Sequence, residues 1–223
     1  MNIKLFLQAI IKFLLGVLII GILLFIPAGT IEYWNAWLLM GLLFIPMFIV
    51  GIILMIKNPD LLRKRLNAKE SENEQKKVVA ISGLMFVVGF ICAGLNYRYK
   101  WINIPNIVII ISSIVFVIAY ILYGEVLREN AYLSRTIEVQ ENQKVIDTGL
   151  YGIVRHPMYT TTIILFLSMP LMLGSMISFI IFLIYPIIIA KRIKNEEKVL
   201  EKNLKGYKEY KNKVKYKMIP LIW

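Results

Sequence analysis

An all-α, polytopic integral membrane fold with about six transmembrane helices is predicted by three features of the sequence. Of its 223 residues, 58% are hydrophobic, and the mean hydropathy is +0.68, against an apolar share of roughly 45–50% in a soluble domain. The apolar residues fall in blocks close to the ~20 residues a helix needs to cross the hydrocarbon core, with no strand-period alternation to compete. Lysine and arginine gather at the ends of those blocks.

The blocks can be taken in order. Leu5–Ile26 follows Lys4 in the manner of a secretory signal, yet it is too long and lacks a small-x-small cleavage pattern, so it reads as a membrane helix. Trp37–Ile56, Val78–Leu95 and Ile104–Tyr123 are the next spans. Tyr159–Leu173 and Ser175–Ala190 are shorter and meet at Gly174 and Ser175, which predicts a helical hairpin that need not reach the far surface. Between the fourth and fifth blocks lies Glu125–His156, too long and too polar for a simple connector; such segments are functional or disordered. The chain therefore divides near Glu125. Residues 1–125 form the N-terminal membrane helices, and residues 126–223 form a C-terminal region with the hairpin and a basic tail.

The formal charge of +12 invites a nucleic-acid reading, but the positions of the charges oppose it. The stretch from Lys57 to Lys77 holds seven positive residues, Arg128 to Arg155 four, and Lys191 to Lys217 eleven. With Lys4 and Lys12, 24 of 26 fall on one side, leaving Arg98 and Lys100 on the other. The positive-inside rule then places both termini and the three long loops in the cytoplasm of a cell membrane, with anionic lipid headgroups as the partners of the basic residues. The lysine-, isoleucine- and asparagine-rich composition suggests a prokaryote. Tyr33, Trp34 and Trp37 border the second block, and Tyr97, Tyr99 and Trp101 the outer loop, as interfacial aromatics do. The single Cys92 lies within an apolar block and is expected to be buried packing; one cysteine and one histidine fall short of a metal-ligand cluster, so no metal is expected.

Two stretches carry candidate chemistry. Gly149-Leu150-Tyr151-Gly152-Ile153-Val154-Arg155-His156-Pro157-Met158-Tyr159 leads straight into the fifth block. Proline favours the first helical position, so Pro157 makes His156 the N-cap and begins a helix whose free N–H groups suit an anion. His156 and Tyr159 then share one turn beside Arg155. They serve either a ligand or, more simply, as a cap, a headgroup anchor and a phosphate contact. The second stretch, Lys191–Leu200, leaves the membrane as a helix with an apolar stripe of Ile193, Val199, Leu200 and Leu204, and Glu196 falls on or beside that stripe. Arg192, one turn back, can pair with it. Either the two form a surface salt bridge, or Glu196 accepts hydrogens from a ligand while Arg192 holds an anionic substrate. Because the last two blocks form a hairpin, His156–Tyr159 and Arg192–Glu196 must lie side by side, which favours the ligand reading.

Gly206 is expected to end that helix. Tyr207 and Tyr210 beyond it either roof a pocket or belong to an interfacial belt. No P-loop occurs and no Gly-x-Gly follows a strand, which excludes a Rossmann-type nucleotide domain.

Taken as an ordered set, Gln140-Glu141-Asn142-Gln143-Lys144-Val145-Ile146, Gly149-Leu150-Tyr151, Arg155-His156-Pro157-Met158-Tyr159, Arg192, Glu196-Glu197 and Gly206-Tyr207…Tyr210 resemble the isoprenylcysteine carboxyl methyltransferase family and its bacterial relatives. The likeness covers roughly Asn130 to Trp223. It implies an S-adenosyl-L-methionine pocket formed by Gln140, Gln143, Lys144, Val145, Ile146, Tyr151, His156, Pro157, Met158, Tyr159 and Glu196. It also implies a substrate-contacting arginine at Arg192 and a lipophilic, isoprenoid or lipid-like acceptor, with a carboxylate among the acceptor groups it allows. The catalytic pair would be Arg192 and Glu196. The same architecture resembles phospholipid amine methyltransferases and, more distantly, membrane reductases that use a nicotinamide cofactor. A non-enzymatic membrane protein is the remaining reading.

Overall fold

The computed structural model describes residues 3–67, 73–134, 136 and 139–223. Lys69 and Arg135, which belong to the charge tally above, lie outside them. The described residues form helices α1 (Ile3–Ala28), α2 (Trp34–Lys57), α3 (Pro59–Leu66), α4 (Asn73–Tyr99), α5 (Asn106–Glu129), α6 (Pro157–Met172), α7 (Met176–Phe182), α8 (Ile184–Asn203) and α9 (Tyr207–Lys213), with no strand among them. Five segments are long and apolar enough to cross a membrane: α1, α2, α4 from Gln75, α5, and Met176–Asn203 taken as one leg. The shorter apolar α6 lies between them. Their outward faces are aliphatic, with Leu14, Leu18, Ile52, Ile114 and Ile187 all exposed. A soluble protein rarely shows so large an apolar surface, whereas a lipid-facing bundle requires it.

Prolines 27, 46 and 170 sit inside helices without ending them, as membrane helices tolerate. Two glycines let α4 approach its neighbours closely. A Cβ on Gly94 would lie 2.6 Å from the Leu24 carbonyl oxygen of α1, and one on Gly89 would lie 2.3 Å from the Phe182 ring of α7. Small residues at such contacts are how membrane helices gain van der Waals packing without a hydrophobic driving force between them. Phe86, Phe90, Phe166 and Phe182 fill the space next to Gly89. α6 lies along α5, and α1 along α4.

The hairpin is present, with its turn fixed by side chains from two other helices. Gly174 takes φ +72°, the left-handed conformation glycine adopts freely. The Tyr33 hydroxyl donates to the Leu173 carbonyl at 2.5 Å, Asn35 Nδ2 to the Met172 carbonyl at 2.9 Å, and Asn96 Nδ2 to the Gly174 carbonyl at 3.1 Å. Carbonyls at the end of α6 that have no helical partner are thereby satisfied away from water.

Several expectations need correcting. Tyr33 is fully buried and stacks on Tyr97, so it belongs to the core and not to the interfacial belt; Trp34 and Trp37 remain exposed. Cys92 is half-buried, because Ala93, Gly94 and Asn96 occupy the inward face of α4. α5 continues through Glu125 to Glu129, since Glu125 and Arg128 pair at i,i+3 on its exposed face. Gly206 does not end the helix after the hairpin: α8 stops at Asn203, and Gly206, at φ +87°, turns the chain into α9. The short α3 was not anticipated. Asn58 caps it, its side chain accepting from the Leu61 N–H, and Pro59 sits in the first turn.

Candidate active site at the foot of the hairpin

The hairpin returns α8 beside the start of α6, and the buried face of α8 there passes through Ile189, Arg192, Ile193 and Glu197. Of the acidic pair, Glu197 therefore points inward, at 5% exposure, and Glu196 sits at the margin of that face. Glu196 therefore lies beside the buried stripe, as expected, while Val199 and Leu200 are only half-buried and Glu197 takes the inward position.

Glu197 is an anchor. One carboxylate oxygen accepts from Arg155 Nε at 2.7 Å and lies 3.3 Å from His156 Nε2, while Lys217 Nζ stands 3.7 Å from the other. Arg155 also donates Nη1 to the carbonyls of Val214 and Lys215 at 2.7 and 2.8 Å. The backbone N–H groups of Arg155 and His156 donate to the carbonyls of Tyr216 and Lys217, and Thr160 Oγ1 donates to the Met218 carbonyl at 2.9 Å. The basic tail is thus clasped against the entrance to α6. His156 holds the N-cap position and Pro157 the first helical position as predicted, but the histidine ring turns to Glu197 and does not cap the helix.

Glu196 takes a different partner. Arg192 Nε donates to the Tyr159 hydroxyl at 2.9 Å, and that hydroxyl donates to Glu196 Oε2 at 2.6 Å. The relation expected between Arg192 and Glu196 is present as a relay through Tyr159, a residue of the other leg. Charge-assisted bonds of this kind are short and directional.

The relay faces a cleft of about 100 Å³. Arg192, Glu196, His156, Met158 and Tyr159 line one wall, and Gln143, Lys144, Val145, Ile146 and Tyr151 line another. Gln140 and Pro157 lie outside the lining. Gln140 instead helps shape the turn that carries Gln143: its N–H donates to Gln143 Oε1 at 2.8 Å, and its Nε2 to the Tyr132 carbonyl at 2.7 Å. Asn142 completes that turn at φ +56°, a conformation asparagine tolerates.

Residues given no role from sequence complete the cleft. Asn130 Nδ2 donates to the Tyr151 hydroxyl at 3.0 Å, and Tyr210 donates to the Tyr151 carbonyl at 2.7 Å. Gly149, at φ +51°, lies against Glu129, whose carboxylate accepts from the Leu150 N–H; a Cβ there would fall 1.5 Å from Glu129 Oε1. Leu204, Tyr207, Tyr210 and Val214 form a small apolar cluster with Val139, Val145 and Leu200 that presses the tail onto the loop. Tyr207 and Tyr210, left open between roof and belt, are buried and line the cleft. Burial pushes the Tyr151, Tyr207 and Tyr210 phenols well above their ordinary value, so all three remain protonated donors. The Tyr207 hydroxyl is buried without a hydrogen-bond partner. Groups of that kind are rare, because an unmade bond costs roughly 1–3 kcal/mol.

Fold and cleft together define a polytopic, all-helical membrane protein with a polar-lined cleft at the foot of a helical hairpin. Residues 108–202 match the model of the isoprenylcysteine carboxyl methyltransferase (ICMT) family, so this stretch of the chain is similar to that family of membrane methyltransferases. No curated protein matches the chain.

Proposed function

We propose that the protein is an S-adenosyl-L-methionine-dependent methyltransferase acting on a lipophilic acceptor that bears a carboxylate. The observation that carries this reading is the cleft itself. A carboxylate held by a tyrosine–arginine relay, aromatic and aliphatic walls, and one buried unpartnered hydroxyl meet in a single space. The donor set fits an adenosyl ligand. Glu196 can accept hydrogens from ribose hydroxyls or an amino group, and Tyr207 can donate its unused hydroxyl hydrogen. Val145, Ile146 and Leu200 offer apolar surface to a ring.

When bound, S-adenosylmethionine supplies a methyl group on a sulfonium that an acceptor oxygen takes by in-line displacement. The protein's task is then to hold donor and acceptor in line and exclude water, and no covalent nucleophile is required. Arg192 orients the acceptor's carboxylate while Tyr159, held between Arg192 and Glu196, fixes both side chains. No general base is assigned, since a carboxylate is already ionised near pH 7. The chemistry belongs to the region 126–223, with residues 1–125 as its membrane scaffold and the cleft on the cytoplasmic side.

The test is transfer of labelled methyl from S-adenosylmethionine by the detergent-purified protein to an S-prenyl thioether carboxylic acid, beside a phospholipid amine. Labelling of the carboxylate as a base-labile ester, lost in Arg192→Ala, is expected. Labelling of the amine alone would overturn the acceptor class, and no labelling of either, with no adenosyl binding, would overturn the reading as a whole.

A further inference from the structure

α3 lies outside the stretch matched to the family, yet it is bound to the wall of the cleft. Leu61 and Leu62 are buried and seat the helix. That seating aims the next turn at the loop after α5. Lys64 Nζ donates to Gln140 Oε1. Arg65 donates Nη2 to the Tyr123 hydroxyl of α5, and its Nη1 lies 3.5 Å from the Ser134 carbonyl and 3.8 Å from Met158 Sδ. Ser134 and Met158 line the cleft, and Gln140 sets the turn that presents Gln143 to it.

From these contacts we infer that α3 is a clamp for the ligand cleft, with Lys64 and Arg65 as positioning residues that hold the loop after α5 against the start of α6. The inference rests on the ligand reading above. The partners are chosen in a way that suits a clamp. Both cations hold neutral oxygens, with a thioether beside Arg65, so each bond can be remade after a displacement without separating an ion pair. Arg65 alone touches α5, the loop and α6, a task its planar multi-donor head performs and a lysine cannot reproduce in full. The cleft is also smaller than the roughly 300–1,000 Å³ of ordinary small-molecule pockets. A ligand of that size enters by moving a wall, and the wall tied to α3 is the one made of loop.

The experiment measures S-adenosylhomocysteine binding and release for the full-length protein in detergent, comparing wild type with Lys64→Ala, Arg65→Ala, Arg65→Lys, Gln140→Ala and the Lys64→Ala/Gln140→Ala pair. Each alanine variant is expected to bind about tenfold more weakly through faster release. Arg65→Lys should recover part of the loss. The paired variant should lose no more than Gln140→Ala alone, because the Lys64–Gln140 contact is already absent there, although Gln140→Ala also removes the bond to the Tyr132 carbonyl. The melting temperature without ligand should stay at the wild-type value for Lys64→Ala, which separates positioning from folding even where Arg65→Ala unfolds. Wild-type affinity and release in Lys64→Ala and Arg65→Lys would overturn the clamp while leaving the ligand reading intact. Absence of binding to the wild type would instead overturn the ligand reading, and the clamp with it.

Discussion

Both ends of the hairpin bury polar side chains among apolar helices, and they do so differently. At the turn Tyr33, Asn35 and Asn96 are neutral, and their donors are matched to the carbonyls of Met172, Leu173 and Gly174. At the foot the buried groups are charged, Arg155, Arg192 and Glu197 among them, and the Tyr207 hydroxyl is left without a partner. Burial of a polar residue in a membrane bundle is therefore not in itself a sign of function. The distinguishing mark is charge, which closing a turn does not need; an unfilled bond is not one by itself, since Ser178 Oγ beside the turn is also buried without a partner.

Substitutions at the two ends sharpen the contrast. Glu197→Ala should have the largest effect, removing the shared partner of Arg155 and His156 and costing roughly 3–5 kcal/mol; chemical or thermal unfolding in detergent would measure it, and a loss below about 1 kcal/mol would show that the tail is held by its backbone bonds alone. At the turn Tyr33→Phe removes one neutral bond and should cost only about 1 kcal/mol, with ligand binding untouched. Tyr207→Phe should move in the opposite direction. Removing an unsatisfied hydroxyl leaves unliganded stability unchanged or raises it by up to about 1 kcal/mol, while adenosyl binding weakens. Glu196→Gln should be nearly neutral for unliganded stability, within about 0.5 kcal/mol, because Gln can still accept from Tyr159; its effect should appear in ligand binding.

Much of the scaffold was legible because membrane spans are written as long apolar blocks, and the Gly174 bend forced α6 and α8 together. The neighbourhood of His156–Tyr159 with Arg192 and Glu196 followed from that connection alone. The anchoring role of Glu197 was not legible. Adjacent residues on a helix point about 100° apart, and a rotation of the stripe by one residue decides which of the acidic pair is buried. The binding of the tail by Arg155 was hidden too, because it uses backbone carbonyls that carry no residue signature. Gly149 carries a signal that could have been read as a turn, but its reason, the Glu129 carboxylate against its Cα, is tertiary. α3 was overlooked because eight residues with one buried leucine pair make no block.

The most direct measurement is the thermal stability of the purified protein with and without S-adenosylhomocysteine, in wild type and in Glu196→Gln, with ATP and NADPH as controls. At 100 times its dissociation constant a ligand that binds only the folded form adds about 2.7 kcal/mol. The expected result is a selective upward shift for the adenosyl ligand that is largely lost in Glu196→Gln, whose unliganded stability is unchanged. An equal shift in both proteins, or a shift with NADPH and none with S-adenosylhomocysteine, would contradict the assignment of this cleft to methyl transfer.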